Sequence, residues 1–545
     1  MWIAFVSFLP LALGVYAYWN IHLVNNGGKT DVLAALYSAV RLYVAGGDLS
    51  MDALSKLRDY GGGALYLPTR ICLEAGRWLG LFVTASFISR LFYQTIRDLR
   101  IRAKARAAGA IALHGEENYV RLLRESVGKN AVIAPGDEKF AARTHILAFG
   151  SDQALFGYLN DHFQQFVSSK KRFAERQVFV CAVSTPRTNF RNAGFVISNM
   201  AENCARMYWN RQYLRHFGDR PETRLVIIGF GAYGQALLRQ ALLVNVFVHS
   251  EPPLRYDVFG DPTLFMSSCG GIANFVSVGE QAGDRDSVFF HTGRLESSPE
   301  LLRGADRILV ALDSEEANLQ ALRQLLVLEL HRPIHIRASS AELVRCLWPT
   351  VSVSEQSDGA EICVFGTDKS LYSQSIIMDE ELLHTAQCIH ARYMSRTGEK
   401  ACARCQRPKK SGSCVRDCAD FAEEWRKLSP FYQYSNIAQA DHIPVKVREL
   451  LQRNCALTLE SVELSARRFG ELERSGGLKP FLALEHNRWM RNQYLHGWAY
   501  GPVRDNMQKI HPLMVPYEAL PDHQKDKDKD AYETLFGLYE NRMIF

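Results

Sequence analysis

The sequence predicts a multidomain membrane protein. It should carry two N-terminal transmembrane helices, an α/β domain on a doubly wound parallel sheet, and a mainly α C-terminal region with a zinc knuckle. Three observations carry this. The first 19 residues, MWIAFVSFLPLALGVYAYW, hold no charge. The run IIGFGAYG lies between a short apolar segment and an Ala- and Leu-rich one. Four of the 12 cysteines fall between Cys402 and Cys418. The rest is ordinary folded chain, 545 residues with 47% hydrophobic and 22% charged. At about 150 residues per domain, that length suggests three or four units. A net charge of 64 − 58 = +6 is spread thinly and gives no case for nucleic acid. Clustered cysteines favour a metal site in a reducing compartment over a disulfide scaffold.

Residues 1–96 are read as the membrane segment. About 20 apolar residues cross the hydrocarbon core, and Met1–Trp19 meets that length. Trp2, Tyr16, Tyr18 and Trp19 suit the two interfaces. A basic leader region and a small-residue cleavage site are missing, which favours a retained anchor over a signal peptide. The second span is expected between Ile71 and Ile96. Its uncharged core, Trp78–Ser89, is flanked by Arg77 and Arg90, whose long side chains can snorkel. An amphipathic or core helix is the other reading. Between the spans, DVLAALYSAVRLYVAGG and the break at Gly61, Gly62 and Gly63 give a pore-like helix and loop. There is no TVGYG-type filter, and a plain extracytoplasmic linker fits as well. Arg97, Arg100, Arg102, Lys104 and Arg106 then begin a basic juxtamembrane linker over 97–142. The positive-inside rule places the bulk of the chain in the cytoplasm, at the inner or cell membrane.

The α/β domain is expected over 221–370. Leu225–Ile228 reads as a strand, followed by Gly229, Gly231 and Gly234 in the GxGxxG pattern. The first glycine permits a tight turn and the second a close pyrophosphate. The third lets helix and strand pack, and the helix N-terminus attracts phosphate. A second strand, Tyr256–Gly260, leads to Asp261, the candidate for a ribose hydroxyl, with Glu251 and Asp257 as rivals. Further runs at Val288–His291, Ile308–Leu312, Ile334–Ile336 and Ile362–Phe365 complete six strands. Asp313 ends one of them and should face the crevice. Upstream, 143–220 reads as a degenerate βαβ half, with packing surface rather than a site.

The segment around IIGFGAYGQALL and VALDSEEANLQAL resembles the nucleotide-binding domain of potassium-uptake regulators, the TrkA-N or conductance-regulating (RCK) type. The resemblance covers about 221–367. It implies non-catalytic binding of NAD(H) or an adenine nucleotide at Gly229, Gly231, Gly234 and Asp261, coupled to membrane transport, and Asp313 joins these cofactor-binding candidates by its place at the strand end. A fold that has lost its ligand is the other reading.

Two C-terminal units are expected, 380–455 and 456–545. In the first, Cys402 and Cys405 form CxxC, and Cys414 and Cys418 form CxxxC around a polar, turn-rich loop. Four thiolates close a tetrahedral structural zinc site with no open position. Two disulfides or four free thiols are the alternatives. In the second, EHNRWMRNQYLHGWAYGPVRDNMQKIHPLMVPY is similar to the Ryr domain, the small helical repeat of ryanodine receptors that also occurs in bacterial proteins. The matching residues include Asn487, Arg488, Trp489, Gly497, Trp498, Tyr500, Gly501, Asp505, Lys509, His511, Pro512 and Tyr517. Ile389–Tyr393 and 425–442 resemble parts of a second, degenerate copy. Two copies facing one another should leave a groove. Trp489, Trp498, Tyr500 and Tyr517 offer faces, and Asn487, Arg488, Asp505 and Lys509 offer polar edges, for a nucleotide-like ligand. The same aromatics serve equally as a small helical core.

GxSxG, HExxH and a Cys/His dyad in context are all missing, so no enzyme is expected. The reading is a membrane-anchored cytoplasmic sensor of a small nucleotide-like ligand, expected to be a homo-oligomer. The Ryr module would bind a second small ligand, by analogy with bacterial Ryr proteins in signalling and antiviral defence, and the effect would be to gate ions or perturb the membrane. The alternative is a regulator of potassium transport that binds NAD(H) or ATP and has no pore of its own. An NAD-dependent enzyme comes third.

Overall fold

Apolar, glycine-spaced sequence makes the N-terminal unit helical in this computed structural model. The structure describes residues 2–44, 51–134, 136–167, 176–185, 188–190, 194–212, 214, 223–248, 253–280, 285–293, 295, 298–330, 332–355, 360–396 and 424–540. The chain divides into two units. One is Met1–Arg106 with Gly136–Glu138, the other Ala107–Pro135 with Lys139–Phe545.

In the first unit, helix Trp2–Asn25 packs on helices Val32–Val40 and Tyr66–Ala105. Asp31 opens the short helix by accepting from the Leu33 and Ala34 amides at 3.0 and 3.1 Å. Small residues bring the helices close. A Cβ on Gly14 would stand 2.7 Å from Leu42 Cδ1, and one on Gly80 would stand 2.9 Å from the Leu42 carbonyl. Asn20 donates to the Thr69 hydroxyl at 3.0 Å within this packing. The helix Tyr66–Ala105 has 40 residues, on the order of 60 Å at 1.5 Å per residue. Among the described residues it is the one helix long and apolar enough to cross a membrane. The expected pair of spans is therefore not supported as a pair. The first is helical, but only the second meets that standard, and it runs on unbroken through the basic stretch from Arg97.

The described residues of the second unit hold two large, mainly parallel sheets and a small two-stranded one, Ala499–Tyr500 with Ile510–His511. The first is built from β1 (Ile111–Gly115), β2 (Ala131–Val132), β3 (Thr144–Ala148), β4 (Gln177–Ala182), β5 (Thr188–Phe190) and β6 (Phe195–Asn199). Their order is β2-β1-β3-β4-β6-β5, parallel except for β5. This is a full sheet where half a unit was expected. Strands β1 and β2, with helix Glu117–Val127 between them, lie inside the stretch read as a basic linker.

The second sheet runs β7 (Thr223–Ile228), β8 (Leu254–Phe259), β9 (Ser277–Val278), β10 (Ser287–His291), β11 (Arg307–Val310), β12 (Ile334–Arg337), β13 (Val353–Ser354) and β14 (Ile362–Phe365). The spatial order β13-β14-β12-β11-β7-β8-β10-β9 is parallel throughout. Leaving aside the two-residue edges, this is the doubly wound order 3-2-1-4-5-6 of dinucleotide folds, with the switch point between β7 and β11. All six expected strands are present.

The two sheets share a core. Helix Met200–Arg211 packs on helix Ala232–Val244, burying Cys204, Ala205, Tyr208 and Trp209 with Leu237, Leu238 and Ala241. The Trp209 indole donates to the Leu237 carbonyl at 3.0 Å, which satisfies its one polar atom. The C-terminal region is mainly helical: His384–Arg396, Pro430–Asp441, Ile443–Leu451, Leu459–Ser475, Lys479–Leu495 and Asp522–Glu540. Its core gathers Trp425, Ile443, Val447, Phe469, Phe481 and Tyr532. The four cysteines expected to bind zinc, Cys402, Cys405, Cys414 and Cys418, lie outside the described residues. Among the described residues no cluster of three metal-ligating side chains occurs.

Candidate functional site

The crevice at the switch point is built by the glycine loop. Gly229 leaves β7 at φ +98°, a region open to glycine, and its amide donates to the Phe259 carbonyl at 3.1 Å. Gly231 caps helix Ala232–Val244. A Cβ on Gly234 would overlap the Gly229 carbonyl, so the third glycine permits the close packing of helix and strand. The loop thus does what the pattern requires. Around it lies a cleft of about 590 Å³, lined among others by Phe230, Phe259, His291, Asp313, Gln320 and Gln324.

Asp313 faces this cleft as expected, but its carboxylate lies directly over Gly231. Its Oδ1 accepts from the Ala232 amide at 3.0 Å, and a Cβ on Gly231 would overlap the carboxyl group. Asp261 does not line the cleft. It is exposed and accepts from the Thr263 amide at 2.9 Å, opening the next helix. The Thr263 hydroxyl and amide hold its carboxyl below the usual range. The residue in line behind β8 is Gly260, where a Cβ would press on Phe230 at 2.5 Å.

Of the two rival acids, Glu251 lies outside the described residues. Asp257 is fully buried. It accepts from Arg255 Nε at 2.9 Å, from Arg255 Nη2 at 3.1 Å, and from His291 Nε2 at 2.8 Å. Through that last bond it orients His291, whose ring stacks on Phe259 with centroids 5.0 Å apart. Sequence reasoning missed Phe259, His291 and Gln320 as cleft residues. The available signal was position: the first two end β8 and β10, where ligands of such sheets lie.

The Glu116 carboxylate accepts from the Gly150 amide at 2.9 Å. Asp152 accepts from the Val183, Ser184 and Thr185 amides at 2.6, 3.0 and 3.1 Å. These side chains tie the loops at the carboxyl ends of the first sheet's strands.

The C-terminal residues expected to bind a ligand separate into two groups. Arg488 is buried and ion-paired to Glu485, Nη2 to Oε1 at 2.7 Å. Lys446 reaches the same carboxylate at 2.8 Å. Burial alone would raise the Glu485 carboxyl, but the Arg488 and Lys446 charges bring it down to about 2. Trp498 and Tyr517 are core residues, each 5% exposed. Trp489 is partly buried between His486 and His511, with ring centroids at 5.5 and 5.1 Å. Asp505 accepts from the Met507 and Gln508 amides at 2.8 and 3.0 Å and so shapes a turn. Only Asn487, Tyr500 and Lys509 of the group are exposed, and Lys509 donates to the His496 carbonyl at 2.9 Å. The groove expected between two copies is filled at this point. Phe431, from helix Pro430–Asp441, packs on Trp498 with centroids 5.1 Å apart.

The RyR domain family model matches residues 481–540. Among solved structures, one described as GsuK bound to ADP aligns at 15% identity with a TM-score of 0.31. It covers 68% of this chain and 96% of that one. One described as the GsuK Channel aligns at 16% identity, TM-score 0.31, with the same coverage.

Proposed function

We propose that this chain is a membrane-associated regulator that senses a nucleotide-type ligand in the cleft of its second sheet and acts on membrane transport. The observation that carries the reading is the glycine loop at the switch point between β7 and β11, opening on a cleft of about 590 Å³. A base fits against the partly exposed ring of His291, and Gln320 offers an amide to its edge. Helix Tyr66–Ala105 is the membrane anchor, and its basic end favours a cytoplasmic bulk. The regulator reading is preferred to a self-contained two-helix pore because one described helix, not two, has the length and composition of a span. The RyR module adds a second small-ligand surface around Asn487 and Tyr500. Structural zinc at Cys402, Cys405, Cys414 and Cys418, and a homo-oligomeric state, complete the proposal. Titration calorimetry of the detergent-purified full chain with adenosine, ADP, ATP, NAD⁺ and NADH tests it. Saturable binding of at least one, weakened in His291→Ala, is expected. No heat with any of them overturns the reading.

A further inference from the structure

A glycine loop at a helix N-terminus ordinarily offers its free amides to a phosphate. Here Asp313 takes one of those amides. Asp313 comes from the end of β11, the strand beside β7. Its Oδ1 accepts from the Ala232 amide at 3.0 Å. The same carboxyl covers Gly231 so closely that a Cβ there would overlap it. A carboxylate is an anion and meets the helix dipole as a phosphate would.

The described residues of the rest of the cleft do not redress the charge. Among the described residues that line it there is no Lys or Arg, and Asp313 brings the one formal charge. Elsewhere the cleft is lined by His291, its ring stacked on Phe259, and by the Gln320 amide. Those groups suit a base and its sugar. A pyrophosphate brought to the loop would either stand against the Asp313 carboxylate, which like-charge repulsion opposes, or displace it and forfeit its bond to Ala232.

We propose that Asp313 makes this cleft selective for nucleosides over phosphorylated nucleotides: base and sugar hold the ligand, and a phosphate adds no affinity. This rests on reading the cleft as a base-binding site and narrows that reading to a ligand class.

The test compares adenosine with ADP by titration calorimetry of the full chain in detergent and EDTA, for the native protein and Asp313→Asn. Asparagine keeps an oxygen for the Ala232 amide and removes the charge. The native chain is expected to bind adenosine at least as tightly as ADP. Asp313→Asn is expected to gain tenfold or more for ADP and to stay within twofold for adenosine. The native comparison needs no variant, so it stands even if Asp313→Asn folds poorly. If the native chain binds ADP tenfold tighter than adenosine and Asp313→Asn leaves that ratio alone, the selectivity is overturned and the cleft remains a nucleotide site. If neither ligand gives heat with either protein, the base-binding reading fails and the selectivity with it.

Discussion

Arg206 and Asp441, 235 residues apart, meet in a two-point ion pair, Nε to Oδ2 at 2.7 Å and Nη2 to Oδ1 at 2.8 Å. Arg206 comes from the last helix of the first sheet, and Asp441 ends helix Pro430–Asp441 of the C-terminal region. Gln240, on the helix after the glycine loop, donates to the same Oδ2 at 2.8 Å. One carboxylate thus ties together the first sheet, the glycine-loop helix and the RyR-bearing region. Removing it leaves the Gln240 amide without this acceptor and the buried Arg206 guanidinium without this counter-charge, its bond to the Leu382 carbonyl remaining. Asp441→Ala should cost about 3–5 kcal/mol in denaturant unfolding. The double variant with Arg206→Ala should cost clearly less than the sum of the two singles. Additive losses would mean that the pair does not act as a unit.

A pH effect is expected from Asp528. Burial, together with the Glu485 charge, pushes its carboxyl up to about 8, although Arg488, Lys446 and Lys527 pull the other way. Its imidazole neighbour His486 stands 3.6 Å away and is itself lowered by burial. The folded group therefore keeps a proton that the unfolded group releases near its ordinary value. Between about pH 4 and 8 the unfolded state binds fewer protons, so this residue makes stability fall as pH rises. Asp528→Asn removes that slope. Its melting temperature relative to the native chain should rise steadily from pH 5 to pH 8. Parallel curves over that range would contradict the assignment.

The glycine loop was legible in sequence because its requirements are local: a turn, a close approach and a packed helix within a few residues. The Asp313 contact was not, because it exists only once β11 lies beside β7, and Asp313 and Ala232 are 81 residues apart. Strand β1 was missed for a similar reason. Its five residues, IALHG, end near a histidine that reads as polar. In the fold, His114 is buried and fully partnered. Its Nδ1 lies 2.8 Å from the Tyr158 hydroxyl and its Nε2 lies 3.0 Å from His145 Nδ1. His145 Nε2 lies 3.0 Å from the Ala142 carbonyl, which can only accept. His145 Nδ1 must then accept from His114, and His114 Nδ1 from the tyrosine. Burial lowers His145 to about 3, consistent with a neutral ring. The RyR match was legible from its dense motif, but which aromatics face solvent was not. Trp498 is covered by Phe431, from a helix more than sixty positions upstream.

The loop glycines should differ in what they tolerate. A methyl group on Gly231 meets the far end of the Asp313 side chain, which can swing away at the loss of one capping bond. Gly231→Ala should therefore cost about 1 kcal/mol, the scale of a lost cap. A methyl group on Gly234 meets the Gly229 carbonyl, which is backbone and has nowhere to go. Gly234→Ala should cost about 3 kcal/mol or more. Chemical denaturation of the two variants decides. Equal costs would mean that Asp313 is as fixed as the backbone.

In the RyR module, the motif tryptophan and the motif tyrosine should respond in opposite ways. Trp498 is 5% exposed and packs against Phe431 and His511. Truncating a buried aromatic loses its transfer energy and leaves a cavity. Trp498→Ala should therefore cost about 3–5 kcal/mol. Tyr500 follows two residues later but is 57% exposed. Its truncation should stay within about 0.5 kcal/mol of the native chain. If the module holds a small planar ligand, Tyr500 rather than Trp498 presents the accessible face, and losing one stacking aromatic is worth about 1–3 kcal/mol. That is roughly five- to a hundred-fold in affinity. Melting curves and ligand titration on both variants separate the roles. A Trp498→Ala protein that melts like the native chain would remove Trp498 from the core. A Tyr500→Ala protein that keeps full affinity for a ligand of this module would remove Tyr500 from the binding surface.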